Sequence, residues 1–502
     1  MGYLLGIDIG TSGCKGLLVD HDGRAIKEAA REYAPDTPAP GWSQQDPEDW
    51  FVAAMDVIRE LTSDFPSSGA PVDAVGLTGQ MRGVTLIGRN KLPVRPAVLW
   101  NDSRCHKEVE EITARHGELV RRVTGNPLNT MCTLPKLLWL IKHEPGAWER
   151  AETFIYPKDY IALRLTDSVA TDASDASGSS LFDHLTGSWS EELLELFSIP
   201  KSKLPRILVS TDVTGHVTAD IGRETGLIPG TPVIVGGSDA VTEMLASGVV
   251  DLSSAKLRLG TSGAVSTIVS DLSDIPEDSP AYLWSFVEEG TWMLDINTRS
   301  CAQSTVWLKD ILFDDACDST IAFGEMAKMA ETVPVGADGL FFHPYLMGED
   351  APYWDHRLTA SFFGLNVSHT RSHLVRAVYE GTAFALADAK GALGAIGDSF
   401  TSYHLIGGGM KNRVWTGIIL DVMGVDGVII PNASAALGAA LLAGVGIGVY
   451  SSARDAARRC VTGGETISYD REIHARYADL FGRYREIKEA LDCAYGSASN
   501  RR

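Results

Sequence analysis

Apolar runs that stop abruptly at small polar residues recur along this chain. The first, Leu4-Leu5-Gly6-Ile7-Asp8-Ile9, is strand-like, carries one carboxylate and breaks into Gly10-Thr11-Ser12-Gly13. Ala74-Val75-Gly76-Leu77-Thr78 opens into Gly79-Gln80-Met81-Arg82-Gly83, and Ala97-Val98-Leu99-Trp100 leads into Asn101-Asp102-Ser103-Arg104. Pro232-Val233-Ile234-Val235 meets Gly236-Gly237-Ser238-Asp239. Further on, Lys256-Leu257-Arg258-Leu259 stops at Gly260-Thr261-Ser262-Gly263, and Tyr403-His404-Leu405-Ile406 delivers Gly407-Gly408-Gly409. Each pattern predicts a buried strand whose carboxyl end turns polar, and in open α/β sheets that end faces the ligand crevice.

Helical signals fill the intervals. Asp46 is placed as N-cap, Pro47 as the first helical residue and Asp49 as an acid in the first turn. Further helices are predicted from Ala240 to Ala246, from Ser372 to Leu393 and from Asn412 to Met423. After strands at Leu257–Leu259 and Ala264–Val269 the chain reads as helix-rich to about Glu331. Gly427 to Ala453 contains no charged residue, yet Pro431, Asn432 and many Ala and Gly keep it weakly hydrophobic. It predicts a buried helix between two halves rather than a membrane span. The polar end, Gly496 to Arg502, reads as a frayed tail.

The tetrapeptide Gly-Thr-Ser-Gly occurs twice, at 10–13 and 260–263, about half the chain apart. Glycines allow a tight bend and close approach, and amide and hydroxyl donors point into it. One copy alone is also ordinary hairpin chemistry. Two copies at half-length, with Asp8 before the first, suggest two related lobes gripping one polyphosphate. Asp239 follows two glycines that remove side-chain cover, so it can meet a substrate hydroxyl. It also suits the start of the helix that follows, and the two roles are compatible. Gly407-Gly408-Gly409 admits either a flat ligand or a plain tight turn.

Length and composition narrow the class. The 502 residues call for two domains, expected at 1–250 and 251–502. A formal charge of −21 argues against nucleic acid and anionic membranes as partners. Seven scattered cysteines, at 14, 105, 132, 301, 317, 460 and 493, without a Cys-x-x-Cys pair, point to reduced thiols and a cytoplasmic location. The first residues lack the basic region of a signal peptide.

The two-turn layout resembles the sugar-kinase, actin and chaperone-ATPase superfold. More narrowly, the chain is similar to the FGGY carbohydrate kinase family, over Gly6 to about Tyr450. Met131-Cys132-Thr133-Leu134-Pro135-Lys136 through His143 fits one family signature. Ala360-Ser361-Phe362-Phe363-Gly364 through Glu380 fits the other. Trp42-Ser43-Gln44-Gln45-Asp46-Pro47, Gly79-Gln80-Met81, Leu99-Trp100-Asn101-Asp102 and Pro157-Lys158-Asp159-Tyr160 resemble the members that act on D-xylulose.

The resemblance implies a two-lobed, actin-like and ribonuclease H-like α/β fold with a cleft between lobes. It implies ATP-dependent phosphorylation of a ketopentose, D-xylulose to D-xylulose 5-phosphate, with Mg²⁺ as cofactor. Asp239 would be the general base and Asp8 the metal-organising carboxylate. Thr11, Ser12 and Lys15 would meet the phosphates. Gly260, Thr261, Gly407, Gly408, Gly409 and Asn412 would hold ATP. Gln80, Met81, Arg82, Asp102 and Asp239 would line the sugar site. Sugar and ATP are then the small-molecule partners, with a homodimer as a candidate assembly. Three positions depart from the pattern: Arg82 replaces a His, Ala240 an Asn, and the Gly-Glu-Arg-x-Pro loop reads Gly348-Glu349-Asp350-Ala351-Pro352. The first two leave another polyol, ketose or sugar acid open as substrate. Arg82 either contacts the sugar or turns aside to pair with an acid such as Asp102. A non-metabolic ATP clamp of the actin or chaperone sort is the reading from another class.

Overall fold

The computed structural model describes residues 2–65, 71–276, 278–313 and 318–498. They form two compact units. The first comprises residues 1–250, 282–293 and 432–462, and the second residues 251–281, 294–431 and 463–502. The expected cut at 250/251 is thus one boundary of several, because two later segments join the first unit.

The first unit is built on a sheet that starts with β1 (Tyr3–Ile9), β2 (Gly13–Val19) and β3 (Ala25–Glu32). Helix α1 (Pro47–Thr62) follows, with the Asp46 carboxylate accepting the Glu48 amide and Pro47 in the first turn. Its buried positions Trp50, Ala53, Ala54, Val57, Ile58 and Leu61 follow helical spacing and form one apolar stripe against the sheet. Next come β4 (Val72–Gly79), α2 (Pro157–Thr166) and the short α3 (Ala173–Ser177). They are followed by β5 (Val213–His216), β6 (Pro232–Ser238) and α4 (Asp239–Ala246). The sheet order is β5-β6-β4-β1-β2-β3, with β1, β4 and β6 parallel.

Register places the site. Asp8 pairs with Thr78 and Ile9 with Gly79, while Gly237 pairs with Thr78 and Ser238 with Gly79. The ends of β1, β4 and β6 therefore lie level, and Asp8 and Asp239 emerge at the same edge of the sheet. The Ala435–Gly446 helix packs on β1, β4 and α4 within this unit. A Cβ at Gly6 or Gly76 would stand 1.9 Å from the carbonyl oxygen of Ala436 or Ala439. Only glycine lets the helix approach the sheet so closely. The uncharged 427–453 stretch is accordingly a strand, Gly427–Ile429, followed by this buried helix. Among the described residues no helix is long and apolar enough to cross a membrane.

The second unit's sheet contains β7 (Ser254–Leu259), β8 (Gly263–Val269) and β9 (Trp292–Thr298). After the long helix α5 (Arg371–Gly391) come β10 (Ser402–Ile406), α6 (Arg413–Met423), β11 (Gly427–Ile429) and β12 (Thr466–Ile467). The order is β9-β8-β7-β10-β11-β12. Strands Tyr282–Ser285 and Trp292–Thr298 correct the expectation of a helix-rich stretch up to Glu331. The last helix, α7, runs from Arg471 to Ala498. The expected frayed tail from Gly496 is therefore helical as far as Ala498, and residues 499–502 lie outside those described. Cys14, Cys105, Cys132, Cys301 and Cys460 are free and buried. Cys317 and the Cys493 side chain lie outside what is described.

Candidate active site

In the first unit the Asp8 carboxylate is sheltered and one oxygen, Oδ1, has no hydrogen-bond partner. Burial, then the negative charge of Asp239 and, more weakly, of Glu243, raise its pKa to about 7, against the pull of Lys15. Lys15 sits directly across the β1–β2 ladder from Asp8, with its side chain exposed. An orphaned carboxylate oxygen in a negative field suits a cation. Among the described residues no group of three or more His, Cys, Asp or Glu is arranged to hold a metal by itself. Mg²⁺ commonly needs only one or two carboxylates beside phosphate oxygens and water, so the Asp8 setting fits that ion.

Asp239 is the first residue of α4, behind Ser238 at the N-cap, and its Oδ1 accepts the Ala240 amide at 2.8 Å. Gly236, at φ 72°, lets β6 bulge here, and a Cβ on it would lie 1.6 Å from the Leu77 carbonyl oxygen. Thr78 and Thr242 hydroxyls meet at 2.7 Å and tie α4 to β4.

Beneath Ser238 lies a polar network that sequence reasoning missed. Lys158 Nζ is 2.6 Å from Asp159, 3.1 Å from Asp172 and 3.3 Å from Asp175, all essentially buried. Burial opposes the lysine's charge, but the three carboxylates raise its pKa well above the ordinary value. Asp172 accepts from the Ser174 amide and hydroxyl, and Ser174 Oγ accepts the Ser238 amide at 2.8 Å. The chain of contacts Lys158–Asp172–Ser174–Ser238 holds the residue that precedes Asp239. Its only sequence signal was a polar run, Thr171-Asp172-Ala173-Ser174-Asp175, without hydrophobic period.

The first Gly-Thr-Ser-Gly turn closes through the Gly10 amide on the Gly13 carbonyl at 3.0 Å. Thr11 Oγ1 donates to Gln80 Oε1 at 3.1 Å and accepts from Trp100 Nε1 at 2.9 Å. Gln45 Nε2 donates to the Thr11 carbonyl, and Gln80 Nε2 donates to Gln45 Oε1. Gln80 is thus buried and engaged in fixing the loop, while Ser12 is exposed.

Asp102 is fully buried. It accepts the Ser43 amide at 2.6 Å and pairs with Arg104 at 2.7 Å, whose guanidinium lies 3.8 Å over the Trp42 ring. Arg82 therefore does not pair with Asp102. It lies between Tyr282 and Trp284, 4.4 Å from each ring centre. Met81, just before it, is partly exposed.

In the second unit Arg258 on β7 pairs with Ile406 on β10, so Gly260 and Gly407 leave adjacent parallel strands at one end. The Gly260 and Thr261 carbonyls accept the Ala302 and Cys301 amides at 2.9 and 3.0 Å. Gly407 adopts φ 91° beside Leu259, and Gly408 and Gly409 form a short turn after it. Asn412 caps α6 by accepting the Trp415 amide and donates to the Tyr379 hydroxyl at 2.8 Å, so both ends of its amide are engaged. Glu349 is buried in the Gly348–Pro352 loop, accepting the Arg299 and Asp350 amides. Arg299 in turn pairs with Asp350 at 3.0 Å.

Residues 3–246 match the model of the N-terminal domain of the FGGY family of carbohydrate kinases, and residues 255–447 that of its C-terminal domain. A xylulose kinase of Lactococcus lactis is 34% identical over 454 residues, 90% of this chain and 89% of that protein. The structure of a ligand-bound xylulose kinase from Lactobacillus acidophilus superposes with a TM-score of 0.92 at 28% identity, covering 99% of this chain and 100% of that one. A gluconate kinase from the same organism gives a TM-score of 0.91 at 28% identity, covering 99% of each chain.

Proposed function

The chain belongs to the FGGY family of carbohydrate kinases, and on that premise we propose that it phosphorylates the terminal hydroxyl of D-xylulose to give D-xylulose 5-phosphate. It is a sugar kinase, a phosphotransferase that uses ATP. The level register of β1, β4 and β6, which sets Asp8 and Asp239 at one sheet edge, supports phosphoryl transfer here best, and the likeness to xylulose kinases supports D-xylulose as the acceptor.

Asp239 would accept the proton of the sugar hydroxyl as its oxygen attacks the γ-phosphorus. Asp8 would hold Mg²⁺, which when bound supplies positive charge to the phosphate oxygens. Lys15 and the amides of the 10–13 turn would orient phosphate in the first unit. Gly260, Thr261 and Gly407–Gly409 would bind nucleotide in the second. The Lys158 network would keep Ser238, and so Asp239, in place.

A coupled ADP-release assay over neutral ketoses, polyols and sugar acids tests this. D-xylulose should give the highest kcat/KM among the neutral sugars. ATP hydrolysis that ignores every sugar would instead fit the actin-like or chaperone-like clamp.

A further inference from the structure

Arg82 is 5% exposed and stands at φ 63° just past β4. Its guanidinium fills the space between the Tyr282 and Trp284 rings, with Nη1 3.8 Å from the Met131 sulfur. Its Nε is buried without a hydrogen-bond partner, and so is Nε1 of Trp284. Two adjacent N–H donors are therefore withdrawn from water with nothing accepting from them. No described carboxylate pairs with Arg82, since Asp102 is held by Arg104 and Asp175 faces Lys158. A second cation, Lys136, is buried nearby, where it donates to the Thr130 and Met131 carbonyls. Burial lowers its pKa to about 8, and the Arg82 charge adds to that lowering.

Ring faces stabilise a cation but do not satisfy the N–H groups at its edge. A buried charge and its donors need an acceptor. Resting on the kinase reading above, we propose that Arg82 and Trp284 form an anion subsite that takes the carboxylate of a sugar acid, giving the enzyme aldonates as a further substrate class. The planar fork of arginine matches a planar carboxylate in two parallel hydrogen bonds.

The fold supplies the spacing. Ser174, at the start of α3, holds the Ser238 amide beside Asp239. Gly178, just past the end of α3, abuts Arg82 Cγ and the Trp284 ring, each 3.1 Å from where its Cβ would be. Four residues at about 1.5 Å each separate Ser174 from Gly178 by about 6 Å, the length of an open pentose chain. An aldonate anchored at Arg82 presents its far hydroxyl toward Asp239. That oxygen bonds to the γ-phosphorus, the bond to the ADP oxygen breaks, and the proton passes to Asp239. The carboxylate is unchanged.

Calorimetry on the whole protein without ATP, using D-xylonate, xylitol and inorganic phosphate, tests the subsite, with ADP release measured in parallel. D-xylonate should bind at least about tenfold more tightly than xylitol. Arg82→Asn, which tolerates a positive φ, should weaken D-xylonate about 10- to 100-fold and xylitol far less, with Arg82→Lys between. Xylitol binding with no preference for D-xylonate in the unmutated protein would overturn the proposal, as would phosphate binding more tightly than D-xylonate. Because that comparison needs no variant, a misfolded mutant does not blur it. Arg82-dependent D-xylonate binding without ADP release from any sugar would leave the subsite standing and sink the kinase substrate reading. Ketose turnover without aldonate binding would do the reverse.

Discussion

At Asp239 one carboxylate oxygen already accepts a backbone amide, so the side chain is oriented before any substrate arrives. Asp239→Asn keeps the shape and removes the proposed base. Phosphoryl transfer should fall about 10²–10⁴-fold while sugar and ATP still bind, measured by turnover beside calorimetry. Near-normal turnover would remove Asp239 from the chemistry. Gly236 two residues before Ser238 is a different case, because its constraint is steric: a methyl group there meets the Leu77 carbonyl, on a backbone at φ 72°. Gly236→Ala should cost about 3 kcal/mol or more in denaturant unfolding. Both residues were legible in sequence as Gly-Gly-Ser-Asp after an apolar run. The partner of Asp102 was not. Arg104 is two residues from Asp102 and Arg82 twenty, and only the fold shows that Arg104 turns back onto Asp102 while Arg82 enters the aromatic pair.

At the scale of elements, local signals succeeded where one residue type decides the geometry. Asp46-Pro47 starts α1, the helix expected from Asn412 to Met423 runs from Arg413 to Met423, and the glycine-rich breaks end the strands as expected. They failed where burial on both faces erases periodicity. Trp292–Thr298 is a mixed run of apolar and polar residues, and its assignment as strand comes from its place in the sheet rather than from its pattern. The Gly348–Pro352 loop carries a testable consequence of burial. Burial lifts the Glu349 carboxyl from 4.5 to about 8, although the Arg299 and Asp350 amides pull it down. The folded state therefore favours the protonated form. This contribution is fully present below about pH 4.5 and is lost as pH rises toward about 8. Urea midpoints of the native chain should fall across that window, with a slope of at most about 1.4 kcal/mol per pH unit from this group. Glu349→Gln should flatten the trend, and an unchanged slope would assign it to other groups.

For the whole molecule, the repeated turn at half-length carried the fold class, because each copy follows a strand at the carboxyl edge where the proposed chemistry would sit. What it could not convey was that 282–293 and 432–462 return to the first unit, since such contacts are set by packing far along the chain. The net charge is a property of the same scale and opposes the function in one respect. A protein of −21 repels an anionic nucleotide at long range, while a neutral ketose feels no such field. Added salt shortens the reach of that repulsion from about 30 Å at 0.01 M to about 10 Å at 0.1 M. The proposed contacts at Lys15 and the loop amides would act at short range and be screened much less. The KM for ATP at fixed excess Mg²⁺ should therefore fall about two- to fivefold over that salt range, with the KM for D-xylulose nearly constant. Steady-state kinetics at matched Mg²⁺ measures both. A KM for ATP that rises with salt would mean that the local cations, and not the field of the whole chain, govern the approach of the nucleotide.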